Sequence, residues 1–278
     1  MTVRGAQLSF PRDFASGLPG ARFRQQFATL PRLGADFAIV AAVIGVYFLA
    51  RGQAPGRDAF AVALTDRLVS FERVLHIFWE PTVQGWSIRY HWVQEVANFV
   101  YAYMHFPVLG VVAVWLWFRG RERFTFMRNT MFISMVIGLV FYYLFPAAPP
   151  RLMALNGHDL GFVDTVFGGN TSVSYAQPAL ILNEYAAIPS FHFGWIAMAS
   201  AAIWVNTSSR TLRITALVLS AVMAWAIVAS ANHLFVDMAL GGGVVWVSWR
   251  IARQLESRTQ RASAGRDPIA FESPARAA

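Results

Sequence analysis

The chain has 278 residues, of which 56% are hydrophobic and 14% charged, and it carries a formal net charge of +8. Its apolar residues come in long blocks that a water-soluble domain would expose, so the composition excludes that class and reads as a polytopic, all-α membrane protein. The lack of cysteine excludes disulfides and thiolate metal sites, and the basic charge, carried by 23 arginines spread over flanks and tails, suits anionic lipid headgroups rather than nucleic acid.

Residues 1–33 hold Arg4, Arg12, Arg22, Arg24 and Arg32 among scattered apolar residues, without the apolar core of a signal peptide, and read as a basic, flexible cytoplasmic tail, with an interfacial amphipathic anchor as the alternative. The membrane domain follows, over 34–250. Its first apolar span covers 35–50 and is closed by Arg51. A bilayer core of about 30 Å takes around 20 residues, so this helix extends past one of those limits. Across 52–92, charges interleave with apolar residues at helical spacing. One or two helices lying at the outer surface are expected there, with Trp79, Trp86, Tyr90 and Trp92 in the aromatic belt. In the second span, 93–118, Asn98, Tyr101 and His105 fall at i, i+3 and i+7. That face must point into the bundle, because polar groups in hydrocarbon are costly unless partnered. Its first reading is a hydrogen-bonded stripe joining helices; support of a reaction, with His105 toward the substrate, is the second.

Arg119, Arg121, Arg123 and Arg128 mark a short cytoplasmic linker before a third span, 129–145. The run Pro146-Ala147-Ala148-Pro149-Pro150-Arg151 stops that helix and stiffens the backbone beyond it. A glycine-rich polar loop, 152–187, precedes three more spans at 189–205, 212–230 and 233–249, and a disordered basic cytoplasmic tail is expected over 251–278. With six spans and interfacial helices, the inner segments hold 17 arginines and the outer ones 6. The positive-inside rule then puts both termini in the cytoplasm of a cell-membrane protein, and Arg151, His192, His233 and Asp237 on the outer face.

Two stretches organise the rest: Ile188-Pro189-Ser190-Phe191-His192, and Ser230-Ala231-Asn232-His233-Leu234-Phe235-Val236-Asp237. The 41 residues between the two histidines allow one span down, a polar turn at 206–213 and one span back, which returns both to one face. Asp237 follows His233 by four residues, so on a helix the carboxylate lies one turn from the imidazole. These parts suit phosphoryl transfer. Neutral His233 can attack phosphorus while Asp237 fixes its tautomer and supports the cation that forms. His192 can protonate the departing oxygen. Ser190 with its neighbouring amides at a helix start favours an anion, and Arg151 can clamp phosphate oxygens. A His-Asp pair at this spacing also serves as a helix-stabilising contact or a metal site; zinc would need a third ligand, for which His158 and Asp164 are the candidates.

At these residues the chain resembles the type 2 phosphatidic acid phosphatase superfamily, whose signatures are Lys-x6-Arg-Pro, Pro-Ser-Gly-His and Ser-Arg-x5-His-x3-Asp. IPSFH at 188–192 matches the second with Phe191 in place of glycine, and HLFVD at 233–237 matches the end of the third. The third signature's arginine is replaced by Ile227, and the chain has no lysine for the first. These departures, with PAAPPR at 146–151, are similar to the branch of inositol phosphorylceramide synthases and their bacterial relatives. Glu72, Gln84, the Asn98/Tyr101/His105 face, GFVDT at 161–165 and YAAIPSFH at 185–192 extend the similarity over roughly 70–245. The resemblance implies a six-helix bundle without metal or cofactor, with His233 as nucleophile, Asp237 as its partner and His192 as general acid. It leaves the acceptor open: water makes a phosphatase, a polyol or lipid hydroxyl a phosphotransferase, and the missing lysine and arginine tilt the reading towards transfer of a phospho-headgroup. A lipid phosphate or phospholipid is the expected substrate. A non-catalytic lipid-binding or transport bundle of the same fold, and a structural partner in an envelope-synthesis complex, are the alternatives.

Overall fold

The computed structural model describes residues 19–167, 171–173 and 177–264, with side chains described from residue 30 to residue 262 of these. The chain divides into two units after Gly45. Helix α1, Pro19–Gly52, begins in the first unit with proline in its first turn, where a missing N–H costs nothing, and contains Pro31. Residues 19–33, expected in a basic tail, are therefore helical; Ala21, Arg22, Arg24, Gln25 and Gln26 are strong helix formers. Residues 1–18 of that expected tail lie outside the described residues.

In the second unit the expected surface helices are α2, Asp58–Val74, and α3, Glu80–Ile88. The second span is one continuous rod made of α4, His91–Phe99, a π-helical turn, Val100–Met104, and α5, His105–Arg119. A single residue, Gly120, separates it from α6, Arg121–Leu144; Gly120 has φ +149°, which side chains rarely adopt. Of the arginines expected in a linker, Arg119 thus ends α5, and Arg121, Arg123 and Arg128 lie in the first turns of α6. After the proline run comes the short helix α7, Pro150–Met153, and then α8, Phe191–Asn206, α9, Arg210–Ala229, and α10, Phe235–Ala264. Helix α10 carries on well past 250, which corrects the expectation of disorder for 251–264. Gln254, Leu255, Glu256 and Arg258 favour helix, and neither glycine nor proline interrupts that stretch. Residues 265–278 lie outside the described residues.

Among the described residues, five helical segments are long and apolar enough to cross a membrane: Leu30–Gly52, His91–Arg119, Arg121–Leu144, Arg210–Ala229 and Phe235–Ala262. Helix α8, the fourth of the six spans expected, has 16 residues and rises about 24 Å. It is the most enclosed helix of the second unit, with Trp195, Ile196, Met198, Ala199 and Ala202 at most 2% exposed, and it packs against α5, α6, α9 and α10. Pro189 and Ser190, which lead into it, and Phe191, its first residue, are buried as well. Around it, the proline run is tied down on two sides. Ala147 donates its N–H to Tyr185 O (2.9 Å) and accepts from Ala187 N (3.4 Å), while Thr65 Oγ1 donates to Ala148 O (2.8 Å).

Candidate active site

Helix α9 ends at Ala229, and the chain reverses over Ser230-Ala231-Asn232 with Ala231 at φ +53°. A left-handed alanine costs on the order of 1 kcal/mol. The cost is offset by the bonds that close the turn: Ala231 N to Val228 O (2.9 Å), Asn232 N to Ile227 O (3.0 Å) and His233 N to Ile227 O (3.2 Å). His233 therefore stands ahead of α10 rather than inside it, a correction to the stacked pair expected on one helix. Asp237 reaches back as a capping residue. Its Oδ2 accepts the Leu234 N–H (2.9 Å) and lies 3.4 Å from His233 Nδ1. With Nδ1 turned to the carboxylate, Nε2 is the nitrogen left for a ligand in the cavity that His233 lines.

His192 comes from the first turn of α8. The start of α8 is bonded to the first turn of α10, with Ser190 N donating to Asp237 O (3.0 Å). Gly241 makes this approach possible, since a Cβ there would lie 2.1 Å from Ser190 O. The two imidazole centroids are 5.8 Å apart, and the His192 ring also meets Tyr101 (4.5 Å) and His105 (4.6 Å). His192 Nε2, Ser190 Oγ, His105 Nδ1 and Asp237 Oδ1 are buried without a hydrogen-bond partner among the described residues. Phe191, the residue in place of glycine, stacks on Trp195 at 4.9 Å and 7° and fills the space left by Gly138 of α6.

Arg151 joins them because the stiff Pro149-Pro150 step delivers it onto the α9–α10 turn. Its N–H donates to Ala231 O (2.8 Å), Nε to Asn232 Oδ1 (3.0 Å) and Nη1 to Asp164 Oδ2 (3.0 Å), and its guanidinium lies 4.3 Å from the Phe167 ring centroid. Asp164, weighed above as a metal ligand, instead holds Arg151 and accepts the N–H groups of Val166 and Phe167. His158 pairs with Asp66 at 2.6 Å. Among the described residues, no group of three metal-binding side chains comes together.

The Asn98/Tyr101/His105 face divides in two. Asn98 donates to Thr165 O (2.7 Å) and accepts from Gln94 Nε2 (2.9 Å) and Thr165 Oγ1 (3.1 Å), so it pins the GFVDT loop. Tyr101 and His105, beyond the start of the π turn, lie against His192. A π turn takes in an extra residue and re-phases the face, which a strict helical count does not anticipate.

These groups line a cavity of about 1180 Å³. His192, His233, Arg151 and Asp164 give it a polar end; Tyr47, Phe48, Phe106 and Trp195 give it an aromatic wall, and Arg51 adds a second guanidinium. Pockets for drug-sized molecules run to about 1,000 Å³, so the space suits a headgroup together with part of an acyl chain. Sequence reasoning passed over Arg51 and Asn232. Arg51 donates to Ile181 O (3.4 Å) and Asn183 O (3.2 Å), contacts 130 or more residues away in sequence that no local pattern reveals. Asn232 stands beside His233, but its function as the acceptor for Arg151 depends on a segment 81 residues away.

Comparison with known proteins bears on this geometry. The family description "PAP2 superfamily" matches residues 66–251. The chain is 27% identical over 176 residues to a phosphoinositol dihydroceramide synthase of Bacteroides thetaiotaomicron, a match covering 58% of this chain and 56% of that protein. No solved structure matches. The matched region contains Arg151, Ser190, His192, His233 and Asp237, and leaves out all of α1, the start of α2 and the end of α10.

Proposed function

The chain belongs to the PAP2 superfamily, and from that premise we propose that it is an integral membrane phosphotransferase that moves a phospho-headgroup between lipid-phase molecules through a phospho-histidine intermediate. His233 Nε2 attacks phosphorus as the bond to the leaving oxygen breaks, and protonated His192 supplies that oxygen with its proton. Asp237 accepts the Nδ1 proton of His233 in a hydrogen bond and steadies the charge on the phosphorylated imidazole. In the second half, an acceptor hydroxyl attacks phosphorus, gives its proton to the now neutral His192, and the N–P bond breaks to return His233. Arg151, held by Asn232 and Asp164, offers a cation to the phosphate oxygens as charge builds on them. The observation carrying this reading is the meeting of two histidines, 5.8 Å apart, with a carboxylate behind one of them and a cavity in front.

The acceptor is the finer part of the proposal. The aromatic wall and the volume favour a lipid or polyol hydroxyl over water alone, and the relative's name, phosphoinositol dihydroceramide synthase, supports that choice. The arginine balance favours an outward-facing site with both termini in the cytoplasm. The test uses purified protein in vesicles with phosphatidylinositol labelled in its headgroup phosphate, with and without a ceramide-type alcohol. Transfer to the alcohol, an acid-labile label on the protein, and at least about a thousandfold loss in both His233→Ala and His192→Ala are expected. Turnover that survives in both variants sinks the assignment. Lipid binding without any turnover would favour the non-catalytic alternative.

A further inference from the structure

The first turn of α10 is held by carboxyl groups from three separate elements. Leu234 N–H donates to Asp237 Oδ2 (2.9 Å), Phe235 N–H to Glu80 Oε1 (2.8 Å) and Val236 N–H to Glu72 Oε1 (2.6 Å). These are three consecutive amides at a helix start, where no carbonyl of the helix can satisfy them. Glu72 lies in the last turn of α2 and Glu80 opens α3; the short turn between, closed by Ile77 N to Glu72 O (3.0 Å), brings the two together. Both side chains are fully buried. Their second oxygens are buried without a hydrogen-bond partner among the described residues, and because the carboxyls cap adjacent amides they lie close to one another. Two carboxyls buried this close resist carrying two negative charges.

We propose that Glu72 and Glu80 are a one-proton carboxyl pair that positions the nucleophile. By fixing the amides of Phe235 and Val236, the pair sets where α10 begins, and hence how Asp237 meets His233. The proposal rests on the reading of His233 and Asp237 given above, and gives α2 and α3 a part in that site. Burial first, and then contact with Glu80, push the Glu72 carboxyl up to about 9. The charged groups facing it are Glu80 from α3 and Asp237 from α10, both of which resist a further negative charge. With its pKa raised in the folded protein, Glu72 contributes stability that is fully present below the ordinary glutamate range and is lost as pH rises to about 9.

Two measurements on the purified full-length protein test the pair. The first is the apparent melting temperature, by tryptophan fluorescence, from pH 5 to pH 10. In Glu72→Gln an amide stands in for the protonated carboxyl, so the wild type should lose about 5 °C or more relative to this variant between pH 5 and pH 9, and no more above that. The second is binding of inorganic orthovanadate, a mimic of five-coordinate phosphorus. Glu72→Asp keeps a carboxyl but is one methylene too short to reach both Val236 and Glu80. It should bind vanadate at least about tenfold more weakly at pH 7, while Glu72→Gln stays within about threefold of wild type. Parallel melting profiles for wild type and Glu72→Gln would overturn the shared proton, and equal vanadate affinity in Glu72→Asp and Glu72→Gln would overturn the positioning role. If the wild type binds no vanadate, the catalytic reading fails, and the pair is judged by the melting profiles alone.

Discussion

At the scale of single residues, the candidate site keeps several buried polar atoms without hydrogen-bond partners among the described residues. Asp237 illustrates how this is arranged. One oxygen caps α10 through Leu234 and faces His233, while the other is buried and free among the described residues. An asparagine can still accept the Leu234 N–H, so Asp237→Asn should fold like the wild type. It cannot supply the charge that supports a phosphorylated imidazole, and kcat should fall by roughly a thousandfold with KM within a few-fold of wild type. Steady-state kinetics on the labelled lipid reads this directly. A fall in melting temperature that accounts for the lost rate would show a structural role instead. The identities of His192, His233, Asp237, Ser190 and Arg151 were legible in the sequence because each sits beside a recognisable break: a proline, a helix start or the end of an apolar run. The partners of Arg151 were not, since nothing near Asp164 or Asn232 in the chain marks them for one another.

Among the elements, the approach of α8 to α10 matters most. It rests on the absence of a side chain at Gly241, where a Cβ would run into the Ser190 carbonyl at 2.1 Å. That oxygen is backbone and cannot swing aside. Gly241→Ala must therefore part the two helices and draw His192 away from His233, costing at least about a hundredfold in kcat/KM. Gly243→Ala, on the same helix with nothing within 4 Å of the added atom, is the control and should stay near wild-type activity. Equal behaviour of the two variants would show that this contact does not govern the site. Helix periodicity located α8 and α10 but not their contact: it gives the face of each helix and says nothing of which small residue a neighbour meets. The same limit explains the Asn98 face, where the π turn at Val100–Met104 sends Asn98 to the loop and Tyr101 and His105 to His192.

For the whole molecule, orientation in the membrane decides which leaflet supplies the substrate. The chain has no cysteine, so single cysteines added one at a time report on sidedness without background. Leu155, 77% exposed just after α7, and Ser208, exposed between α8 and α9, are expected on opposite sides of the bilayer. Intact cells treated with a membrane-impermeant maleimide should label Leu155→Cys at once and Ser208→Cys only after permeabilisation. The reverse pattern would put the site on the cytoplasmic leaflet. The sequence by itself determined which segments are apolar helices, which chemical groups stand at their ends and which face the arginine balance favours. Hydrophobicity, helix propensity and charge are properties of neighbouring residues and add up along the chain. Tertiary structure alone decided that Asp237 reaches His233 as a cap, that Arg151 is held by Asn232 and Asp164, and that Glu72 and Glu80 secure α10 across 164 and 155 residues. Contacts of that range depend on how helices pack and how loops close, and no local pattern of residues encodes them.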